Sequence, residues 1–510
     1  MVRAPLLAGS RITVAALPDD VELLLPPAPV EGVADVEAAV RDALRFPLAG
    51  EPLEALVPRG GRVTVALDAG SLPLPPPAHD PRRRALAAVL AELERIGVSM
   101  ERQTLLLAAG LARRPTPHDL EARIGPALAR RFTGSVVVHD AEDEALVALD
   151  GGAPGGVRVN RALVATDAIV TVSAAESVTH GGPATFLDAL SADSIRDLPA
   201  EDSLLEAGGG AWEIAVAVER ALARRTPVIG VSLSLAHPRW GGTLRGVPYE
   251  RDAVDRFARS PLRRAFGLLP SAARRRVMQE RLPETGVAAV YAGPPSEAHA
   301  EALVRTIQLR SLPLERPLDA LVLGVPPLTP HLPIERPNPL HAAYFGLGLA
   351  LRLWRGTLPV ERGGTLVLQH GLHRRFAHPT QAPYRSFFAV LRGTDAREPE
   401  LLARAEREAA ADPNVVSAYR QGRACHPRLP YADWEACAPA RGHLGVVIVA
   451  GCRDATAARL LGFVPAMGLG SALAMARERR GGTGPIGCAL TPPFFPLRVG
   501  ADEAAYSSPR

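Results

Sequence analysis

Seven short, nearly continuous apolar runs punctuate this chain, and they constrain its fold more than any other feature. They are residues 62–67 (RVTVAL), 104–109 (TLLLAA), 135–139 (SVVVH), 168–173 (AIVTVS), 227–233 (PVIGVSL), 318–324 (LDALVLG) and 444–450 (LGVVIVA). Runs of this length, without strict alternation of polar and apolar residues, are what strands buried on both faces require. Between them, apolar residues recur at helical spacing, as at 82–96, 118–124, 342–354, 401–412 and 471–480. Strand and helix in alternation predict an α/β fold with mainly parallel, doubly wound sheets. The length of 510 residues asks for more than one such unit. The expected organisation is two α/β domains, over 1–280 and 281–510, with a cleft between them. The Arg-, Pro- and Gly-rich stretch 236–300 reads mostly as helix and loop and contains the expected join. At the start, residues 11–17 alternate like a strand, with 21–25 as a candidate hairpin partner.

All 58 basic residues are arginine; the chain has no lysine. Surplus Ala, Gly and Pro accompany this, as a GC-rich coding bias would produce. The chemical consequence stands whatever its origin: no Schiff base, no Walker-type lysine and no lysine-tethered cofactor. A net charge of +4 spread over this length does not form the basic stripe of a nucleic-acid binder. The four cysteines, Cys425, Cys437, Cys452 and Cys488, show no zinc spacing and fit a reducing compartment. The opening residues are interrupted by Arg11 and do not read as a secretory leader. No apolar run approaches the ~20 residues that span a bilayer. A cytoplasmic protein that acts on neither membrane nor nucleic acid is expected.

Four segments carry a resemblance. They are VALDAGSLPLPPP (65–77), LLLAAGLARRPTPHDLEARIG (105–125), ATDAIVTVSAAESVTHGGPATFLDAL (165–190), and 318–373 with LDALVLGVP, NPLHAAYFGL and GGTLVLQHG. In order and spacing they resemble the nickel-dependent lactate racemase family. The resemblance implies a two-domain protein whose cleft, in active members, holds a nickel-pincer nucleotide on a lysine. That cofactor takes a hydride from a 2-hydroxy acid, while histidines act as bases on the hydroxyl. Nickel suits sulfur and imidazole ligands, and such bases need pKa values near the working pH.

Carried over residue by residue, the catalytic set is missing. The cofactor-bearing lysine falls on Ala184, the strand-end histidine at about Ala174, and the histidine of Gly-Thr-His-Arg-Pro on Ala112. The loop arginine falls on Leu72 and its aspartate on Ala69, beside Asp68. The Gln-x-x-Lys pair falls on His341 and Tyr344, and residues 191–203 hold no histidine. Arg113 and the diglycine Gly181-Gly182 survive. The cofactor is therefore not expected here.

Other residues offer chemistry. His180-Gly181-Gly182 would bring backbone amides to an anion, or serve only as a turn that needs positive φ. Arg113 would fork onto a carboxylate or phosphate, or form an ordinary salt bridge. Asp68 ends a buried-type strand, where it would bind a ligand or cap a turn. His370 and His373, with His378 nearby, would hold a metal if they converged with His341. The reading is a lactate-racemase-like protein that does not racemise and binds a small organic anion in the cleft. Two alternatives stand. One is an isomerase or metal-assisted enzyme rebuilt from His180, His341, Tyr344 and His370. The other is a structural or accessory subunit with an exposed apolar face.

Overall fold

A computed structural model of the chain describes residues 2–68, 80–149, 156–280, 285–327, 336–393, 398–481 and 484–500. It contains two six-stranded sheets. The first runs in the order Val287–Gly293, Val228–Leu235, Ala168–Ala174, Val63–Leu67, Gln103–Leu107, Ser135–Val138. All neighbours are parallel except the edge strand Val287–Gly293, which is antiparallel. The second runs Val464–Ala466, Val446–Ala450, Val360–Gln369, Leu318–Gly324, Ile486–Ala489, Val21–Leu24, and is wholly parallel. Each of the seven apolar runs contributes a strand. The α/β class with mainly parallel sheets is thus as expected.

Alternation of side chains across the strands sorts each sheet's residues into two cores. In the first sheet Val65, Leu105 and Val170 face one core, and Ala66, Leu106 and Ile169 the other. In the second, Ala320, Val367 and Ile448 face one, and Leu321, Leu366 and Val447 the other. The last of these cores also takes in Leu111, Ala175, Val178, Leu204 and Leu205 from the first unit. The two units thus share one apolar interior.

Three local expectations give way to longer-range pairing. Arg11–Leu17 forms its hairpin with Val2–Ala8. Val21–Leu24 instead joins the edge of the second sheet beside Ile486–Ala489, where Val21 and Leu24 reach the cores on its two faces. Within 236–300, Val287–Gly293 is a strand, only partly buried at its centre; an edge position removes the strongly apolar signal of an interior strand. The helix expected over 342–354 breaks into three pieces: Pro339–Ala343, a π-helical turn Tyr344–Leu349 and a short turn Ala350–Arg352. Among the described residues no helix is long and apolar enough to cross a membrane.

Candidate functional site

A cavity of about 230 Å³ opens between the two units. The first unit supplies Ala109, Leu111 and Ala112, just beyond the strand Gln103–Leu107, with Thr179, His180 and Asp188. The second supplies Tyr344, Arg352 and Asp433. Position 112, which the resemblance assigns to a histidine, and position 344, which it assigns to a lysine, therefore face the same space as His180. A larger opening of 740 Å³, lined in part by Arg83, Arg84 and Arg131, holds none of the expected site residues.

Tyr344 is buried, and that burial, with Asp433 nearby, pushes its hydroxyl above the usual phenol range. It opens the π-helical turn, a form of helix often found at functional positions. Gly348 leaves room for its ring: a Cβ there would collide with Tyr344 Cδ2. His180 Nδ1 lies 2.9 Å from Thr179 Oγ1 and 3.4 Å from Ser177 Oγ.

The most unusual lining groups are two that the sequence did not single out. Asp188 Oδ2 is buried and makes no hydrogen bond among the described residues. Burial, aided by the charge of Asp68, pushes this carboxyl well above the usual carboxylate range. Arg352 is buried too; its guanidinium donates to the carbonyl oxygens of Gly348, at 3.2 Å, and of Glu201. Its Nε, also buried, has no acceptor among the described residues. Buried polar atoms are nearly always paired, and such exceptions call for an explanation, such as strain, a chemical role or a bound water or group.

The remaining expected residues do other work. Arg113 is ion-paired with Asp119 at 2.6 Å and donates to the carbonyl of Gly422 across the interface, at 3.3 Å. It is not part of the cavity wall, so the salt-bridge reading of Arg113 is the one realised. Asp68 is buried against Arg82 at 2.9 Å. Gly181 and Gly182 have φ of +84° and +54°, and Gly182 N–H already donates to Ser173 Oγ at 2.9 Å. Their role is a tight turn over His299, not an anion nest. His341 is buried at the start of its short helix, its ring 4.2 Å from that of Tyr384.

His370 and His373 line a different cavity, away from His180 and Tyr344. Burial lowers the His370 pKa to about 4. His378 caps a turn, its Nδ1 accepting from Thr380 N–H. Among the described residues no group of three or more His, Cys, Asp or Glu side chains could hold a metal ion. The expected convergence of histidines is absent: His370 and His373 line one cavity, while His341 lies in a separate short helix, buried against Tyr384. Positions 69 and 72 lie outside the described residues.

A second buried charge cluster sits under the same strand ends. Burial lifts Glu176 to about 7, against the pull of Arg82 and with Asp68 and Asp80 adding to it. The signal in the sequence for Glu176 and Asp188 was a lone acid inside an apolar stretch, AAESV and TFLDAL. Such a residue is costly unless paired or neutral.

The family pattern for the lactate racemase N-terminal domain matches residues 9–180. The match ends four residues before Ala184. The structure of the lactate racemase apoprotein from Thermoanaerobacterium thermosaccharolyticum is similar over 98% of this chain and 100% of its own, with a TM-score of 0.61 and 16% identity. A Thermotoga maritima protein solved by structural genomics covers 86% of this chain and 93% of its own, at 13% identity and a TM-score of 0.48. No curated protein matches the sequence. The fold of the lactate racemase apoprotein thus extends over nearly the whole chain.

Proposed function

We propose that this lactate-racemase-like protein binds a small organic acid in the cavity between its units and does not racemise by the family's nickel chemistry. The carrying observation is the pair of cavity-lining residues Arg352 and Asp188, each with a buried polar atom, Nε and Oδ2, that has no partner among the described residues. A guanidinium N–H is a donor for a carboxylate. A carboxyl group accepts hydrogen bonds and, when protonated, also donates one, which suits a neighbouring hydroxyl. Together they match a short hydroxy acid.

The nickel-pincer nucleotide does not fit these residues. Ala184, where its lysine would stand, is fully buried in the core with Ala66, Leu106 and Ile169. The cavity volume of 230 Å³ lies below the ~300–1,000 Å³ of pockets that enclose larger ligands. Ala112 replaces a histidine with a side chain that cannot ligate or take a proton.

Calorimetric titration of the whole chain with lactate and glycolate tests the proposal. Saturable binding is expected, abolished in Ala112→Phe, which fills the cavity. Binding that survives Ala112→Phe, or no binding of either acid, would contradict it.

A second reading has one observation in its favour: His180, Tyr344 and the carboxyl of Asp188 share a wall, as acid–base catalysts must. It predicts exchange of the Cα hydrogen of lactate for solvent deuterium, followed by proton NMR. The binding-protein reading predicts none.

A further inference from the structure

The second cavity, about 580 Å³, lies along the carboxyl ends of four adjacent strands of the second sheet. Pro327 follows Leu318–Gly324, His370 follows Val360–Gln369, Gly451 follows Val446–Ala450, and Gly468 lies just past Val464–Ala466. This edge is where open parallel sheets bind ligands. The first unit and the N-terminal hairpin close the other side, through Arg274, Arg275 and Arg11.

Its wall is of one charge. Six arginines line it: Arg11, Arg274, Arg275, Arg336, Arg375 and Arg453. No Asp or Glu does, among the described residues. The neighbouring acid Asp454 is already engaged by Arg374 at 2.7 Å. Two of the six are held in place by neutral acceptors. Arg274 donates to the carbonyls of Ser10, at 3.0 Å, of Gly267, at 3.3 Å, and of Leu269, while Arg336 donates to Ser271 Oγ at 3.0 Å. The other four make no side-chain hydrogen bond or ion pair with any described residue. Assembling like charges this closely is unfavourable unless an anion joins them.

Two further features point the same way. The helix Leu469–Arg480 begins at the cavity wall, with Gly468 before it. Its first N–H groups lack helical acceptors and carry the positive end of the dipole. His370 is nine-tenths buried on the wall. Its Nδ1 accepts from Leu372 N–H at 3.2 Å, which leaves Nε2 without a hydrogen bond among the described residues.

We infer that this cavity binds a phosphorylated small molecule, with the phosphoryl groups between the arginines and the start of the helix Leu469–Arg480. A phosphate monoester carries about −1.5 to −2 charges near neutral pH, which suits several guanidinium forks better than one carboxylate does. The volume lies within the ~300–1,000 Å³ of small-molecule sites. The site is separate from the small-acid cavity, and neither needs the other.

The test is calorimetry on the full chain at low salt with inorganic pyrophosphate, ADP, citrate and a single-stranded oligonucleotide. Variants Arg11→Gln and Arg453→Gln remove exposed side chains that make no bond to the described protein, and a thermal melt of each verifies folding. Pyrophosphate and ADP are expected to bind more tightly than citrate. Each variant should weaken that binding about tenfold, as expected for loss of one charged hydrogen bond, with an unchanged melting midpoint. Absence of pyrophosphate binding, equal binding by folded variants, or citrate binding as tightly as pyrophosphate would each overturn the inference. Preference for the oligonucleotide over ADP would overturn it too, by showing a polymer surface instead of a small-molecule site.

Discussion

Gly182 has a φ of +54°, and a Cβ at that position would run into His299 Cβ. His299 cannot yield: it is fully buried, with Nε2 2.9 Å from the carbonyl of Ser177 and Nδ1 3.0 Å from Ser232 Oγ. Gly182→Ala should therefore cost about 2–3 kcal/mol from strain and overpacking, seen as a lower denaturation midpoint; an unchanged midpoint would mean the turn relaxes freely. Glu176 makes a pH prediction. Its folded pKa, about 7, lies above the ordinary value of 4.5, so the folded state holds the proton longer than the unfolded chain. Its contribution is fully present below about pH 4.5 and is lost as pH rises through 7, by up to roughly 3 kcal/mol. Stability measured from pH 5 to 8 should fall more steeply in the wild type than in Glu176→Gln. Parallel slopes would show that the carboxyl is ionised throughout. At this scale the sequence was a mixed guide. Resemblance marked His180 and Tyr344, which share a wall. It also marked Arg113 and Asp68, which are ion-paired elsewhere, because the side-chain partner of an arginine in a 58-arginine chain is set by the fold and not by the local motif.

Strands were the most legible elements, since two-faced burial writes itself as a continuous apolar run. The edge strand Val287–Gly293 escaped, and Val21–Leu24 was read as a strand but assigned the wrong partner, because its true partner lies far along the chain. The break after Ala343 also escaped, although the cause is visible afterwards. The sequence YFGLGL places Gly346 against Leu368 and Gly348 against the Tyr344 ring. A regular helix formed by the same stretch would place Tyr344 differently. Gly346→Ala puts a Cβ 2.5 Å from Leu368 Cδ2, in a fully packed core. It should destabilise the protein by about 1–3 kcal/mol and weaken small-acid binding by moving Tyr344. Loss of stability with intact binding would separate the turn from the site.

The two units are bound into one body by a shared apolar core and by arginines that cross between them. Arg196 reaches Glu406 at 2.5 Å and Glu435 at 2.6 Å. Arg114 donates to the carbonyl of Arg420, and Tyr419 donates to that of Gly110 at 3.1 Å. Arg196→Ala leaves Glu406 buried without its partner. The expected cost is about 2 kcal/mol, less than the ~3–5 kcal/mol of a fully buried pair because Arg196 is partly exposed. Such a clamped interface explains a small cavity in place of a wide cleft. The overall α/β architecture was legible in the sequence. The filling of the cleft was not, because it depends on side chains from both units meeting. The central claim is that this lactate-racemase-like chain keeps the fold and a reduced pocket without a nickel-pincer nucleotide. Intact mass, with metal content, of protein purified from its native host tests it most directly. The expected result is a mass with no nucleotide adduct on the polypeptide and no stoichiometric nickel. A mass excess matching a nucleotide adduct, accompanied by one nickel per chain, would contradict it.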